Sequence, residues 1–318
     1  MVEYSEHTIK IQAPVDKVFE LIADAASWPV IFGPTIYVEH LERSDTIERF
    51  RIWALANGEV KSWSSRRKID RASQLITFEQ EVSQPPVASM SGTWLFDATA
   101  DGGTEVSLEH QFTAVDDDPE SVQWINTVLD SNSASELAGL RSAAEVAEAT
   151  DELVFTFADS VRVQGPLALA YEFIKDAEQW PSRLPHVQRL DLRTDDAGVQ
   201  HMEMDTLAPD GNTHTTSSVR VCFDGDQIVY KQVGVPALLS GHSGRWTFRP
   251  DGDEVVVTSE HTVAIKPEAV QAVLGEGKTV RDARASARGA LGGNSMITLL
   301  HAKQFAEAGS PDSASADR

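Results

Sequence analysis

The sequence predicts an α+β protein made of two tandem copies of one unit, each a curved seven-stranded antiparallel sheet wrapped around a long C-terminal helix and enclosing a cavity. Three observations predict it. The 318 residues repeat themselves once; six stretches of each repeat alternate apolar and polar side chains with the period of a strand; and each repeat closes in a long helical stretch. A shift of 152 lays Pro14 on Pro166, Glu20 on Glu172, Ile22 on Ile174, Asp24 on Asp176 and Trp28-Pro29 on Trp180-Pro181. The same shift pairs Phe78 with Tyr230, Gln80 with Gln232, Ser91-Gly92 with Ser243-Gly244, and Trp94 with Trp246. Near Gly211 the shift becomes 153, so Ser64-Ser65 meets Ser217-Ser218 and Arg67 meets Arg220. At 151 Glu109-His110 meets Glu260-His261, and at 162 Asn132-Ser133 meets Asn294-Ser295. Solenoid units run to about 20–50 residues. A repeat this long is therefore a whole domain with its own core, with boundaries expected at 1–150 and 151–308.

Each element follows from local chemistry. A first strand is expected over His7–Ala13, and Pro14 opens a helix, where its missing N–H costs nothing. Val18, Leu21, Ile22 and Ala25 give that helix its apolar stripe. Trp28-Pro29 and Gly33-Pro34 then break the chain into a second short helix or turn. Strand-period runs follow at Ile36–Arg43, Ile47–Leu55, Val60–Ile69, Leu75–Glu81, Ser89–Phe96 and Thr104–Ala114, separated by acidic or glycine-containing turns. Asp118-Pro119 opens the closing helix, which runs to about Ala149. The second copy repeats this order from Phe155 to Ala308, and Gly275, Gly277 and the run from Gly289 to Gly293 are expected to break or bend its closing helix. The tail, 309–318, holds Ser, Asp and Ala without an apolar anchor and reads as disordered.

Composition narrows the function classes. No apolar run approaches the roughly 20 residues of a membrane span, and the start MVEYSEHTIK lacks a signal-peptide pattern. A single cysteine, Cys222, allows no internal disulfide and fits a reducing cytoplasm. The net charge is −22, with 11 basic against 25 acidic residues in 1–150 and 16 against 24 in the remainder. Such a surface repels nucleic acid and anionic membranes. The histidines show no zinc-type spacing, no glycine-rich phosphate loop follows a strand, and Gly-x-Ser-x-Gly is absent. No metal or cofactor is expected.

Strand parity shows what points inward. His110 shares its side with Val106, Leu108 and Phe112, and His261 with Val255, Val257, Ser259 and Val263. Each is either a satisfied core histidine or a functional one. Gln80 lies with Ile76 and Phe78, and Gln232 with Ile228 and Tyr230. Ser65 and Arg67 share the less polar face with Trp63 and Ile69. In the second copy alternation alone would turn Ser218 and Arg220 outward, because Val219, Val221 and Phe223 form the more apolar face. The duplicated register turns them inward, which requires the apolar face to be covered by the other domain. With Asn132 and Asn294 near the middle of the closing helices, each copy presents one inward polar set: Ser65, Arg67, Gln80, His110, Asn132, and Ser218, Arg220, Gln232, His261, Asn294. No partner carboxylate is evident for either arginine. A buried arginine keeps its proton, so each is bonded to backbone carbonyls, exposed at the cavity mouth, or awaiting an oxyanion.

The element order resembles the helix-grip fold of the START and Bet v 1 type. Trp28-Pro29, the strand Trp63-x-Ser65-x-Arg67, Ser91-Gly92-x-Trp94, Glu109-His110 and Asn132-Ser133 are together similar to the aromatase/cyclases of bacterial type II polyketide synthases, and the head-to-tail copy to their di-domain subclass, over about residues 5–308. The resemblance implies closure and aromatisation of the first ring of a poly-β-ketone bound to acyl carrier protein, usually between carbons 7 and 12. It also implies transient contact with other synthase components. The functional arginine of single-domain relatives falls on Arg67 and, more loosely, Arg220; a pocket tyrosine of some relatives is unmatched, Thr35 and Ile36 standing there. Trp28, Phe32, Trp63 and Trp94, with Trp246 as the second-copy counterpart of Trp94, would fold the chain by shape. Arg67, helped by Ser65 and Gln80, would hold the oxyanion, and His110, with an ordinary pKa of about 6.5, would shuttle protons. Because Thr216 and Leu184 replace Trp63 and Phe32, the first copy is expected to do the chemistry. The alternative is a non-catalytic carrier of an apolar ligand such as a lipid or quinone. An acidic carrier protein needs a basic dock, for which Arg66, Lys68 and Arg71, or Lys278, Arg281, Arg284 and Arg288, are available unless they are merely solvated.

Overall fold

Both copies use the same pairing rule, in which each strand hydrogen-bonds to its sequence neighbour and the first closes against the last. The computed structural model describes residues 1–146, 150–207, 211 and 213–309, and the chain separates into two units, Met1–Ala149 and Thr150–Arg318. The expected disordered tail, apart from Gly309, lies outside the described residues.

The first unit runs β1 (Glu3–Ile11), α1 (Val15–Ala23), α2 (Trp28–Ile31), β2 (Thr35–Arg43), β3 (Ile47–Ala56), β4 (Glu59–Asp70), β5 (Leu75–Val82), β6 (Val87–Ala98), β7 (Thr104–Ala114) and α3 (Pro119–Ala144). Its sheet order is β1-β7-β6-β5-β4-β3-β2, all antiparallel. The second unit runs α4 (Thr150–Leu153), β8 (Val154–Val163), α5 (Leu167–Lys175), α6 (Trp180–Arg183), β9 (Val187–Thr194), β10 (Gln200–Leu207), β11 (Thr213–Phe223), β12 (Gln227–Gly234), β13 (Leu239–Asp251), β14 (Glu254–Ile265), α7 (Val270–Leu274) and α8 (Val280–Ala308). Its order, β8-β14-β13-β12-β11-β10-β9, repeats the first. These are the two helix-grip units that the sequence predicts.

The first strand begins four residues earlier than its apolar pattern suggests. It pairs with β7 from Glu3 opposite Phe112 to Ile11 opposite Thr104, so partner length rather than its own hydrophobicity sets its extent. In α3, Asp118 caps the start by accepting from the Ser121 backbone N–H at 2.9 Å, with Pro119 in the first turn. In the second unit Gly275 and Gly277 fall between α7 and α8 at positive φ, as breakers should. Against expectation, α8 continues unbroken through Gly289, Gly292 and Gly293. Gly292 has a packing reason: a Cβ there would meet the Arg288 guanidinium, which crosses the helix to Asp159 at 2.6 Å and lies 4.4 Å from the Phe157 ring centre.

The cores lie between each sheet and its closing helix. In the first unit Ile11, Phe19, Ile22, Ile76, Phe96, Val106, Leu108, Leu137 and Leu140 pack together; in the second, Phe173, Ile174, Ile228, Trp246, Phe248, Val257 and Leu299 do so. Full burial of side chains of this size stabilises by about 1.5–3 kcal/mol each. Gly92 and Gly244 occupy matching places where an aromatic ring from the next strand crosses: a Cβ would meet the Phe78 ring and Glu109 O in one copy, Tyr230 and Glu260 O in the other. No helix among the described residues is long and apolar enough to cross a membrane.

Candidate active site

The sheet of the first unit curves away from α3 and leaves an open-mouthed cavity with about 170 Å³ open to the centre of a water-sized sphere. Trp28, Phe32, Trp63 and Trp94 all line it, with Ser65, Arg67, Gln80, His110 and Asn132 as polar groups. Every first-copy residue singled out by strand parity and duplication therefore reaches one cavity. Asn132 donates to Leu55 O at 3.0 Å, tying α3 to β3. Gln80 accepts from the Ser83 hydroxyl at 2.7 Å and points its amide at Met90 Sδ, 3.5 Å away.

Arg67 differs from expectation in one decisive respect: it has a carboxylate. Glu48, only 1% exposed, stands directly opposite it in the β3–β4 register. Its Oε2 accepts from Nε at 2.7 Å and lies 2.6 Å from Nη2. The rest of the guanidinium donates to the last carbonyls of α1, from Nη1 to Ile22 O at 2.7 Å and from Nη2 to Ala23 O. Helix C-terminal carbonyls carry partial negative charge, which favours a cation there. Trp28 and Phe50 lie at 5.0 and 5.5 Å on its flanks. Four of the five guanidinium N–H groups are thus engaged, leaving one on Nη1. Burial lowers the Arg67 pKa and Glu48 opposes that shift.

Two titratable groups complete the wall. His110 is buried edge-on to Phe78 with ring centres 5.6 Å apart, and its Nδ1 has no partner. Desolvation drives its pKa down to about 4, so the ring is neutral at pH 7 and does not titrate near neutrality as its ordinary value suggested. Glu136, which sequence reasoning missed, lines the same cavity one helical turn beyond Asn132. Loss of solvent pushes its carboxyl up to about 7. The signal was present: residues four apart on a helix share a face.

The second unit places the equivalent residues differently. Arg220 points inward, as the duplicated register requires, and donates through Nη2 to Ile174 O at 2.6 Å beside Trp180. Val219 and Val221 are buried as well. Ser218 is buried opposite Gln232, and Trp246 belongs to the apolar core. His261 forms the centre of a polar cluster. Its Nδ1 lies 2.8 Å from the Tyr230 hydroxyl and 3.0 Å from His242 Nε2; its Nε2 lies 2.7 Å from Ser295 Oγ and 3.1 Å from Ser259 Oγ. Ser295, next to the expected Asn294, is the α8 residue that reaches it. Desolvation also lowers the His261 pKa to about 4.

Residues 4–145 and 163–287 match two sequence profiles, each described as "Polyketide cyclase / dehydrase and lipid transport". The granaticin polyketide synthase bifunctional cyclase/dehydratase of Streptomyces violaceoruber is 47% identical over 96% of this chain and 95% of its own length. The actinorhodin polyketide synthase bifunctional cyclase/dehydratase of Streptomyces coelicolor is 48% identical, covering 93% and 94%. The chain belongs to the polyketide cyclase/dehydratase family of enzymes. Among solved structures, the di-domain aromatase/cyclase BexL superposes with a TM-score of 0.81 at 48% identity, covering 96% of this chain and 99% of its own. The di-domain aromatase/cyclase StfQ gives 0.79 at 37% identity, covering 95% and 98%. The duplicated architecture is thus shared with these relatives along their whole length, and membership of the cyclase/dehydratase family favours an enzyme over a passive carrier.

Proposed function

We propose that this chain closes and aromatises the first ring of a poly-β-ketone held on an acyl carrier protein, between carbons 7 and 12, and that the cavity of residues 1–150 does the chemistry. The observation that carries the reading is that cavity: four aromatic side chains wall a space that also receives Ser65, Arg67, Gln80, His110, Asn132 and Glu136. A flexible polyketone in water has many competing closures. Flat walls of Trp28, Phe32, Trp63 and Trp94 reduce that search by admitting one folded register, which turns entropy into proximity.

The steps balance without a cofactor. A carboxylate form of Glu136 takes a proton from the methylene that becomes the nucleophile; the resulting enolate carbon bonds to the facing ketone carbon, whose oxygen becomes an alkoxide. The protonated carboxyl returns that proton to the alkoxide. Loss of a second methylene proton and of the hydroxyl, as one water, makes the double bond, and enolisation of the remaining ketones completes the ring. A group with a pKa of about 7 supports both directions of transfer at neutrality. Neutral His110 supplies a hydrogen-bonding ring to the same wall, while the free Nη1 N–H of Arg67 and the Ser65 hydroxyl face the developing oxyanion. The granaticin and actinorhodin relatives carry both activities in their names, cyclase and dehydratase.

The setting is a cytoplasmic type II synthase. On the outer face of β4, Arg66 and Lys68 border a groove that Glu79 and Glu109 also line, and Arg66 pairs with Glu81 and Arg71 with Glu20, so the charge offered to an acidic carrier is largely offset there, as it is in the second basic cluster. In that cluster Arg284 donates to Glu152 O and covers Phe155, and Arg288 pairs with Asp159. Adding the chain to a minimal synthase that makes a known polyketone tests the reading. Isotope-labelled product should show a single carbon 7 to carbon 12 ring, and the same mixture of rings with and without the chain would overturn it.

A further inference from the structure

Arg67 belongs to a chain of charges that leads away from the cavity. One row of the first sheet sets Arg43 of β2, Glu48 of β3 and Arg67 of β4 opposite one another, and the Glu48 carboxylate is divided between the two arginines. Its Oε2 serves Arg67, while Oε1 lies 3.1 Å from Arg43 Nε and 3.8 Å from His40 Nε2. The last distance is too long for a hydrogen bond, and His40 Nε2 is a buried atom without one. Phe50, part of the cavity wall, has its ring centre 6.1 Å from that of His40 and 5.5 Å from the Arg67 guanidinium. The charged groups that act on His40 are Glu48, Arg43, Arg67 and Asp24. Arg43 reaches Asp24 at 3.7 Å, and Arg71, which also feels Glu48, is offset by Glu20 at 3.0 Å. With His40 neutral, the two arginines and two carboxylates around it cancel; with His40 protonated, the group carries one positive charge. Burial lowers the His40 pKa and Glu48 opposes that shift, so the ring gains its proton only below its ordinary value of about 6.5. The second copy lacks both members together. Gln200 stands in place of Glu48, opposite Arg220, and Leu192 in place of His40, opposite Met202; the Gln200 amide turns away to Lys175 O at 3.3 Å.

We propose that Glu48 and His40 are positioning residues for Arg67: Glu48 fixes the guanidinium with one N–H left for the cavity, and a proton on His40 draws the carboxylate toward β2 and strengthens the arginine's hold on an oxyanion. The inference rests on the reading that Arg67 meets the developing oxyanion, and it adds what controls that contact. Neither residue touches the substrate, since Glu48 acts through its bonds to Arg67 and His40 acts through Glu48. When the carboxylate leans toward His40, it compensates the guanidinium less. The carbonyls of Ile22 and Ala23 still hold Arg67 in place, so charge changes without loss of aim. In a medium of low dielectric such a change is felt over several ångströms.

The test reads the arginine and the reaction separately, in the whole chain. With nitrogen-15 label, the Arg67 Nε–H resonance, identified by its loss in Arg67→Lys, should move between about pH 8 and about pH 5 with the midpoint of the His40 ring, and should stay still in His40→Leu. Over the same range the rate of ring formation by His40→Leu, divided by the wild-type rate, should fall about fivefold from the alkaline to the acid end. The division removes the titration of Glu136, which both proteins share. His40→Gln, which keeps a polar side chain, should behave as His40→Leu does, and in a Glu48→Gln background either replacement should leave the divided rate flat. An Arg67 resonance that does not follow His40 overturns the inference, whatever product forms. A resonance that follows His40 while the divided rate stays flat also overturns it, and, with the wild type still closing its ring, takes Arg67 out of the oxyanion contact.

Discussion

The first unit neutralises its buried arginine and keeps a cavity beside it; the second keeps its arginine bare and fills matching positions with groups that bond one another. Glu48 against Gln200, Met90 against His242, Phe78 against Tyr230, and Glu136 against Thr298 are the exchanges that separate them. The backbone hardly notices: strand order, glycine positions and the carbonyls of Ile22 and Ile174 are reused. One scaffold thus carries two different interiors, which is why an argument made for one arginine does not transfer to its counterpart.

The comparison breaks most easily at the arginines. Arg67→Met leaves the buried Glu48 carboxylate only the half-exposed Arg43, at 3.1 Å, as an ion-pair partner, and denaturant titration should show a loss approaching about 3 kcal/mol. Arg220→Met removes a bare cation and should leave the unfolding midpoint unchanged or raised. Equal losses in both variants would mean that the two environments do not differ in charge balance.

Next in size is catalysis. Glu136→Gln should lower kcat about 100-fold with little change in KM or melting temperature, whereas Ser295→Ala in the second unit should leave kcat near wild type. Unaltered turnover in the Glu136 variant would remove this carboxyl from the mechanism.

The pH dependence of stability sharpens the picture further, because two cavity groups act in opposite directions. Glu136 has a folded pKa raised from 4.5 to about 7, so the folded state binds more protons than the unfolded one between those values. Stability it contributes below pH 4.5 is lost as pH rises to 7. His110 is lowered from 6.5 to about 4, so its contribution is present above pH 6.5 and lost on acidification to 4. Urea midpoints measured from pH 4 to 7 should therefore decline less steeply with rising pH in Glu136→Gln and less steeply with falling pH in His110→Phe. The smallest effect expected is in the second unit, where Ser295→Ala deletes the 2.7 Å contact to His261 and should cost about 1 kcal/mol.

Much of this was legible in the residues. Period-two alternation located the sheet strands, and duplication overruled alternation correctly at Arg220, whose strand is buried on both faces from Ser218 to Val221. What escaped was information that lies across strands rather than along them. Glu48 shares its parity with Phe50, Ile52 and Ala54, all buried, but only the antiparallel register places it opposite Arg67. The glycines of α8 escaped because propensity counts what glycine costs a helix and not what its missing side chain admits, here the crossing of Arg288. His110 was placed rightly and its charge state wrongly, since its depressed pKa depends on how completely the fold removes water around it.

The crossing at Gly92 and Gly244 has an evolutionary meaning. At each glycine a Cβ would collide with the crossing aromatic ring and with a carbonyl of the adjoining strand, yet the far end of that ring remains open to change. Between Phe78 and Tyr230 the difference is one oxygen atom, and in the second copy that atom lands 2.8 Å from His261. A duplicated gene could therefore rewire an interior by a single-base style of step, altering chemistry at the tip of a clamped lever while the frame that holds it stayed still.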